Sequence, residues 1–343
     1  MYTRKQIPDK MKRKYRCFSI FLTVGVVLCL LGAYVYQKRI SDFSGIITIE
    51  ATESGFQQTG IEAIRQEQEA KRATEAERAG KKNITGKSEV FNFTAWTERK
   101  DQPVASELSG RQALADCYLL LGDSYLVLPW GKNLPADDMD GCVIGAAVAQ
   151  TIFGGTEVEG QMLLYDERTL TVRGVVQEPE DILLCQMPEQ AGTASLQNGT
   201  GSGNTSGYGN GSRTDADGSA TFERINLLST GESGTMSQTA EQFINSHGLE
   251  AEILHFKRQQ NLHWLTELIP GKWSNFSGWS ESFKTLQSDR QRLRQCEKSG
   301  IESLYLGWVC RRDMFLAVAV LVVICQIICL LWALSKKHLH SES

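Results

Sequence analysis

Two uninterrupted apolar runs, one near each end of the chain, dominate its pattern of hydrophobic and polar positions. They cover residues 17–36 and 314–334, which are 20 and 21 positions without a charged side chain. An α-helix rises about 1.5 Å per residue, so about 20 apolar residues are enough to cross the hydrocarbon core of a bilayer. The pattern therefore predicts two membrane-spanning helices.

Basic residues are distributed unevenly around the first of these runs. The first 16 residues carry seven Lys and Arg side chains and one acid, whereas only Lys38 and Arg39 follow the run closely. The positive-inside rule then places the N-terminus in the cytoplasm. Because a secretory signal peptide has a shorter apolar core, the run is interpreted as an uncleaved anchor. We expect a two-pass plasma-membrane protein with both termini cytoplasmic and residues 37–313 outside.

Residues 141–177 change their hydrophobic period twice within one short stretch. Apolar residues from Val143 to Phe153 recur at helical spacing, Asp140 is placed to cap the start, and Gly154 can end the helix without a steric penalty. Two strand-like runs follow, 162–165 and 170–176, separated by a polar turn. The stretch is therefore predicted to form a helix, a tight turn and a β-hairpin.

The other exterior elements alternate between strand and helix patterns. Strands are predicted at 45–51, 90–96, 220–228 and 250–256, and over 115–128 with a break at Gly122 and Asp123; helices are predicted at 56–82, 239–247 and 280–299. Strands that follow one another directly and strands joined through helices occur together, which favours an α+β domain over a doubly wound sheet.

A segment of low complexity divides this exterior region. Residues 191–220 contain 20 Gly, Ser, Thr and Asn among 30 positions, and they show no apolar periodicity. Such a composition buries too little apolar surface to offset ordering, so a flexible linker is predicted. The resulting organisation is a basic tail (1–16), a span (17–36), a first core part (37–190), the linker (191–220), a second core part with membrane-proximal helices (221–313), a span (314–334) and a short tail (335–343).

The stretch 141–177 resembles the signature of the MacB-like periplasmic core domain of FtsX/MacB-type ABC transporter permeases. The matching positions are Ile144, Gly145, Ala149, Ile152, Phe153, Gly154, Val158, Gly160, Thr171, Val172, Gly174 and Val175. The resemblance implies a domain that carries conformational change between a cytoplasmic ATPase and an exterior partner. Those permeases normally continue with a multi-span module, whereas this sequence has two apolar runs. The structural signature residues assigned on this basis are Gly145, Phe153, Gly154, Gly160, Val172 and Gly174.

The search for catalytic and metal-binding motifs finds none. A phosphate loop (GxxxxGK[ST]), HExxH and GxSxG are absent from the sequence, and no CxxC pair supports a zinc site. The first 16 residues have a net charge of +6, which leaves −10 for the rest and argues against a nucleic-acid partner. A disulfide between Cys117 and Cys142 is one hypothesis, because both flank the same predicted strand and helix. We predict neither a cofactor nor a metal.

Small and polar residues within the spans fit two settings, contact with a partner helix and exposure to lipid. Gly25, Cys29 and Ala33 form a small-xxx-small face on the first span, and Gln326 is a strongly polar residue within the second. These features favour a noncatalytic, permease-like membrane subunit or accessory protein. Its expected partners are other membrane subunits, including an ABC ATPase, and the lipid bilayer. The alternative is a membrane-tethered extracellular binding or sensor protein that acts without a transporter.

Overall fold

The structure is a computed structural model that describes residues 9–43, 45–52, 55–79, 90–188, 221–228, 233–254, 276–295 and 298–339. It divides into two compact units. One is the domain Phe43–Glu302, and the other comprises Met1–Asp42 and Ser303–Ser343. The predicted linker 191–220 and the extreme ends of both tails lie outside the described residues.

The domain has runs of consecutive strands that are interrupted by helices. The helices of the whole chain are α1 (Asp9–Ser41), α2 (Gln58–Ala79), α3 (Ala146–Phe153), α4 (Ser233–His247), α5 (Phe276–Gln295) and α6 (Gly300–Leu339). The strands are β1 (Ile46–Ala51), β2 (Phe56–Gln57), β3 (Asn92–Ser106), β4 (Gln112–Leu121), β5 (Gly141–Gly145), β6 (Met162–Tyr165), β7 (Arg168–Val176), β8 (Ile182–Gln186), β9 (Thr221–Phe222), β10 (Arg224–Leu228) and β11 (Ala251–Leu254).

Nine of the described strands form one mixed sheet in the order β11-β1-β10-β3-β4-β8-β5-β7-β6. The β4/β8 and β5/β7 pairs are parallel, and the other pairs are antiparallel. Strand β3 also pairs with β6, so the strands from β3 to β6 in this order form a closed ring of pairings. The expected α+β fold class is confirmed.

The long strand β3 serves two parts of this sheet. Its first half pairs with β10, and its last residues pair with β6. The register with β4 shifts between Arg99 and Gln102, and Asp101 within the shift has a positive φ of 53°. A bulge of this kind bends the strand, which lets its two halves follow different neighbours.

Both faces of the sheet are covered. One apolar cluster includes residues of α2, α3 and α4 together with one set of strand residues. A second cluster on the other side contains Trp96, Tyr118, Leu128 and Ile301, the last of which lies in the first turn of α6. Strands in the middle of the sheet are therefore buried on both faces, and β5 and β8 are buried at every position.

Burial on both faces explains why two strands, β5 and β8, were not predicted correctly from the sequence. Val143 lies in strand β5, although it was assigned to the helix, and strand β8 was not predicted at all. Both strands are five-residue apolar runs without alternation, which period alone does not distinguish from a helix segment. Helix α3 consequently begins at Ala146 with Gly145 as its N-cap residue, so Asp140 does not cap it.

The β-hairpin after α3 has the predicted position and a defined turn. Strands β6 and β7 are antiparallel, with Tyr165 opposite Arg168. The two residues between them, Asp166 and Glu167, have positive φ angles of 49° and 63°. Two consecutive positive φ angles are typical of the type I′ turns that match strand twist, so β7 begins directly at Arg168.

The second unit contains two long helices. Segments Ile20–Ser41 of α1 and Gly300–Leu331 of α6 are each long and apolar enough to cross a membrane. The helices contact each other through the Gly32 backbone and Phe315, the stacked rings of Tyr36 and Phe315, and a 2.9 Å hydrogen bond from Arg312 Nη1 to Gln37 Oε1.

Candidate functional site at the start of helix α6

The first turn of α6 is closed by a capping box. The Glu302 N–H donates to Ser299 Oγ at 3.2 Å, and the Ser299 N–H donates to Glu302 Oε2 at 3.0 Å. This reciprocal arrangement satisfies two backbone donors at a helix start. This capping box was not predicted from the sequence, although a Ser and a Glu three residues apart before an apolar run are its usual signature.

Side chains of the sheet bind the other free N–H groups of this turn. The Gly300 N–H donates to Glu98 Oε1 at 3.0 Å, and the Ile301 N–H donates to Tyr118 Oη at 3.3 Å. The Tyr118 hydroxyl in turn donates to Glu98 Oε1 at 2.5 Å. Burial raises the pKa of the Tyr118 phenol, and the neighbouring Glu98 carboxylate raises it further, so the hydroxyl keeps its proton.

A buried arginine links the same turn to two more strands. Arg224 at the start of β10 contacts Glu302 Oε2 through Nη1 at 2.7 Å and Glu50 Oε1 on β1 through Nη2 at 3.1 Å. Its guanidinium carbon lies 5.2 Å from the ring centroid of Trp96 on β3. We call Glu50, Arg224 and Glu302 the ion-pair cluster.

The Glu302 carboxyl lies in an environment that penalises its charge. Burial raises its pKa to about 7, and the nearby Arg224 guanidinium only partly offsets this effect. Among the described residues, Glu302 Oε1 has no hydrogen-bond partner. Helix α6 has 40 residues, or about 60 Å, which is about twice the thickness of a bilayer core. Glu302 therefore precedes the uncharged apolar run 314–334 by several turns.

The signature glycines have local structural roles. At Gly145 an added Cβ would lie 2.2 Å from the backbone oxygen of Glu180, the same oxygen that accepts the Ala147 and Val148 N–H groups of α3. At Gly174 an added Cβ would meet the Lys132 side chain at 2.8 Å.

The remaining signature positions lie in turns and in the apolar core. Gly154 and Gly160 have positive φ angles of 83° and 84°. Gly154 is also the C-cap residue of α3. Val172 is buried on β7, and Phe153 packs at the edge of the core. The signature therefore shapes the α3 and hairpin region.

The predicted contact residues of the spans differ in their surroundings. Ala33 is buried and Cys29 is half-buried. Apart from its neighbours in α1, no described residue lies within 4 Å of a Cβ built on Gly25. Gln326 Nε2 is 3.5 Å from Thr23 Oγ1.

The cysteines of the domain that the structure describes are free thiols. Cys117, Cys142 and Cys185 are buried and unbridged, so the hypothesis of a Cys117–Cys142 disulfide is wrong for this structure. Strand β8, absent from the prediction, lies between their strands β4 and β5. Burial raises the pKa of all three thiols, which keeps them protonated and unreactive. No cluster of His, Cys, Asp and Glu suited to a metal ion occurs in the described part of the chain.

Comparisons with known proteins give structural likenesses of low similarity. No protein-family model matches the sequence, and no curated protein matches it. The periplasmic region of MacB from Actinobacillus actinomycetemcomitans matches with 13% identity and a TM-score of 0.35, over 61% of this chain and 88% of that one. The extracellular domain of the noncanonic ABC-type transporter YknZ from Gram-positive bacteria matches with 10% identity and a TM-score of 0.35, over 61% of this chain and 100% of that one. These values are too low to decide function.

Proposed function

We propose that this protein is a noncatalytic membrane subunit or accessory protein, related to MacB-type ABC transporter permeases, that contributes an extracytoplasmic domain to a membrane assembly. Its partners are other membrane chains, including an ABC ATPase. In this proposal residues 37–313 face the exterior and both termini are cytoplasmic.

The observation that carries the proposal is the attachment of the first turn of α6 to the sheet. Strands β1, β3, β4 and β10 all supply side chains that bind this turn, through Glu50, Glu98, Tyr118 and Arg224. The same helix continues into the apolar run 314–334. A displacement of the helix start must therefore move the sheet or break these contacts.

The signature residues support the same proposal from a different part of the domain. Three glycines carry the resemblance to the MacB-like core: Gly145, Gly154 and Gly174. At Gly145 and Gly174 other atoms of the domain lie so close that an added side chain would collide with them. Strands β5, β6 and β7 of this region belong to the same nine-stranded sheet whose side chains bind the first turn of α6. No chemical step is required of this arrangement, which is why we place the function in assembly.

Replacing Gly25 by leucine is expected to abolish recovery of a membrane partner while leaving the chain itself intact. Apart from adjacent residues of α1, nothing in the described structure lies within 4 Å of a Cβ at Gly25, so the first carbon of a larger side chain meets no other part of the described chain. A close helix partner, in contrast, would be displaced by it. The measurement is affinity purification from native membranes in mild detergent, followed by identification of the co-purified proteins.

Val27→Leu is the matched control, since Val27 is half exposed on the same helix and already carries a branched side chain. Co-recovery of an ABC ATPase or a permease with the wild type and Val27→Leu, but not with Gly25→Leu, would support the proposal. Recovery of the wild type as a lone monomer would instead favour the tethered binding or sensor protein.

The proposed orientation has its own test. A cysteine introduced at Ser109, which is exposed after β3, should react with a membrane-impermeant thiol reagent in intact cells. A cysteine at Ser341 should react only after the membrane is permeabilised, because the seven basic residues before the first span hold the N-terminus inside, and the second span returns the chain to the same side. Labelling is measured above that of the wild-type chain. The opposite pattern would reverse the topology and leave the fold unaffected.

A further inference from the structure

The ion-pair cluster holds more negative than positive charge when all its carboxyls are ionised. One guanidinium, that of Arg224, contacts two carboxylates, those of Glu50 and Glu302. Glu98 adds a third carboxylate, because it accepts the Gly300 N–H at the same helix start. Carboxylates that share a buried site do not all ionise easily, since each disfavours the charge of the others.

Further acidic groups lie around the cluster in the described structure. The charges of Glu50 and Glu98 act on Glu302 in the same direction as burial, and Arg224 acts against them. Glu223 adds a further acidic charge near Arg224. On β4, the Asp116 carboxylate lies near the backbone of Gly300, and the Tyr118 phenol remains neutral.

The geometry points to Glu302 as a proton-binding site that controls how firmly the first turn of α6 is attached to the sheet. The two oxygens of this carboxyl differ in a way that suits the role. Oε2 accepts both the Arg224 guanidinium and the Ser299 N–H, whereas Oε1 has no hydrogen-bond partner among the described residues. A proton on Oε1 removes one of the excess negative charges and leaves both contacts of Oε2 in place.

The direction of the effect follows from linkage. In the attached state the pKa of Glu302 is raised to about 7, while a detached, solvated glutamate titrates at its ordinary, lower value. The attached state therefore binds the proton more tightly, so protonation favours attachment. As the pH rises from the ordinary glutamate pKa through the raised pKa of about 7, attachment weakens. At higher pH the ionisation of Glu302 is complete, so it weakens attachment no further. The helix start is thus held most firmly under mildly acidic conditions.

Hydrogen exchange of the full chain in lipid nanodiscs tests this proposal. Amides of residues 299–302 are followed by mass spectrometry at about pH 5.5 and about pH 8.5, with labelling times corrected for the intrinsic dependence of exchange on pH. In the wild type, we expect protection of these amides to fall on the order of thirtyfold between the two conditions, as the raised pKa requires. In Glu302→Gln the side chain at this position is neutral at both pH values, so this variant should lack the pH dependence.

Glu69→Gln serves as the matched control, because Glu69 is an exposed carboxylate paired with Arg65 on α2, and it should retain the wild-type pH dependence. Equal protection of the wild type at the two conditions would overturn the proposal without recourse to any variant. So would an unchanged pH dependence in Glu302→Gln, with its fold verified by circular dichroism. Neither outcome bears on partner recovery, so the two proposals fail separately.

Discussion

Replacing Arg224 by methionine is expected to lower the free energy of unfolding by about 3 to 5 kcal/mol. Arg224 is almost completely buried and contacts both Glu50 and Glu302. Methionine fills much of the same volume but removes the counter-charge of both carboxylates, so each must either stay charged without a partner or take up a proton. The cost is therefore that of uncompensated buried charge, which exceeds the cost of losing an exposed ion pair. Urea unfolding of the full chain in nanodiscs, followed by circular dichroism, gives the value.

Arg65→Met is the control, because Arg65 forms an exposed ion pair with Glu69 one helical turn away and should cost less than about 1 kcal/mol. Adding Glu302→Gln to Arg224→Met should recover part of the loss, since it removes one of the uncompensated charges. If Arg224→Met were as harmless as Arg65→Met, the ion-pair cluster would not hold the helix start.

Replacing Gly145 by valine is expected to cost about 3 kcal/mol of stability, or to prevent accumulation of folded protein. The first carbon of the new side chain would lie 2.2 Å from the Glu180 backbone oxygen and 2.4 Å from its carbonyl carbon. These are backbone atoms between β7 and β8, and the oxygen also accepts two N–H groups of α3. Relief of the overlap must therefore move a strand connection away from the helix that it caps.

Gly155→Ala provides the comparison, because a Cβ at that position meets nothing within 4 Å and its φ angle lies outside the left-handed region. We expect its stability to stay within about 0.5 kcal/mol of the wild type. The readout is the same urea titration, together with the yield of membrane-inserted protein. A tolerated Gly145→Val would mean that β5 and the Glu180 segment are less closely packed than they appear in the structure.

The elements that the sequence predicted well are those whose pattern depends on local periodicity. The hairpin of β6 and β7, the charged helix α2 and the strand β1 lie close to their predicted positions. Strands β5 and β8 did not follow from the pattern, because a short run buried on both faces carries no alternation. Glycine roles divide in the same way. The stop at Gly154 is a local backbone property, whereas the constraint at Gly145 depends on Glu180, which is distant in sequence.

The candidate site shows the same division within a few residues. The capping box of Ser299 and Glu302 is encoded by two positions three apart, so it could have been found by reading the sequence alone. Arg224 gave no signal of its own, because an isolated arginine at the start of a strand is usually solvated. Its two carboxylate partners come from opposite ends of the domain.

By itself the sequence determined the two apolar helices, the α+β character of the domain between them, and the hairpin, because each follows from composition or from a short-range period. Tertiary structure alone decided that β10 inserts between β1 and β3. Only that insertion brings Arg224 to Glu50 and to the first turn of α6. The physical reason is that a buried ion pair depends on which strands become neighbours, and strand pairing over more than a hundred residues leaves no trace in local pattern.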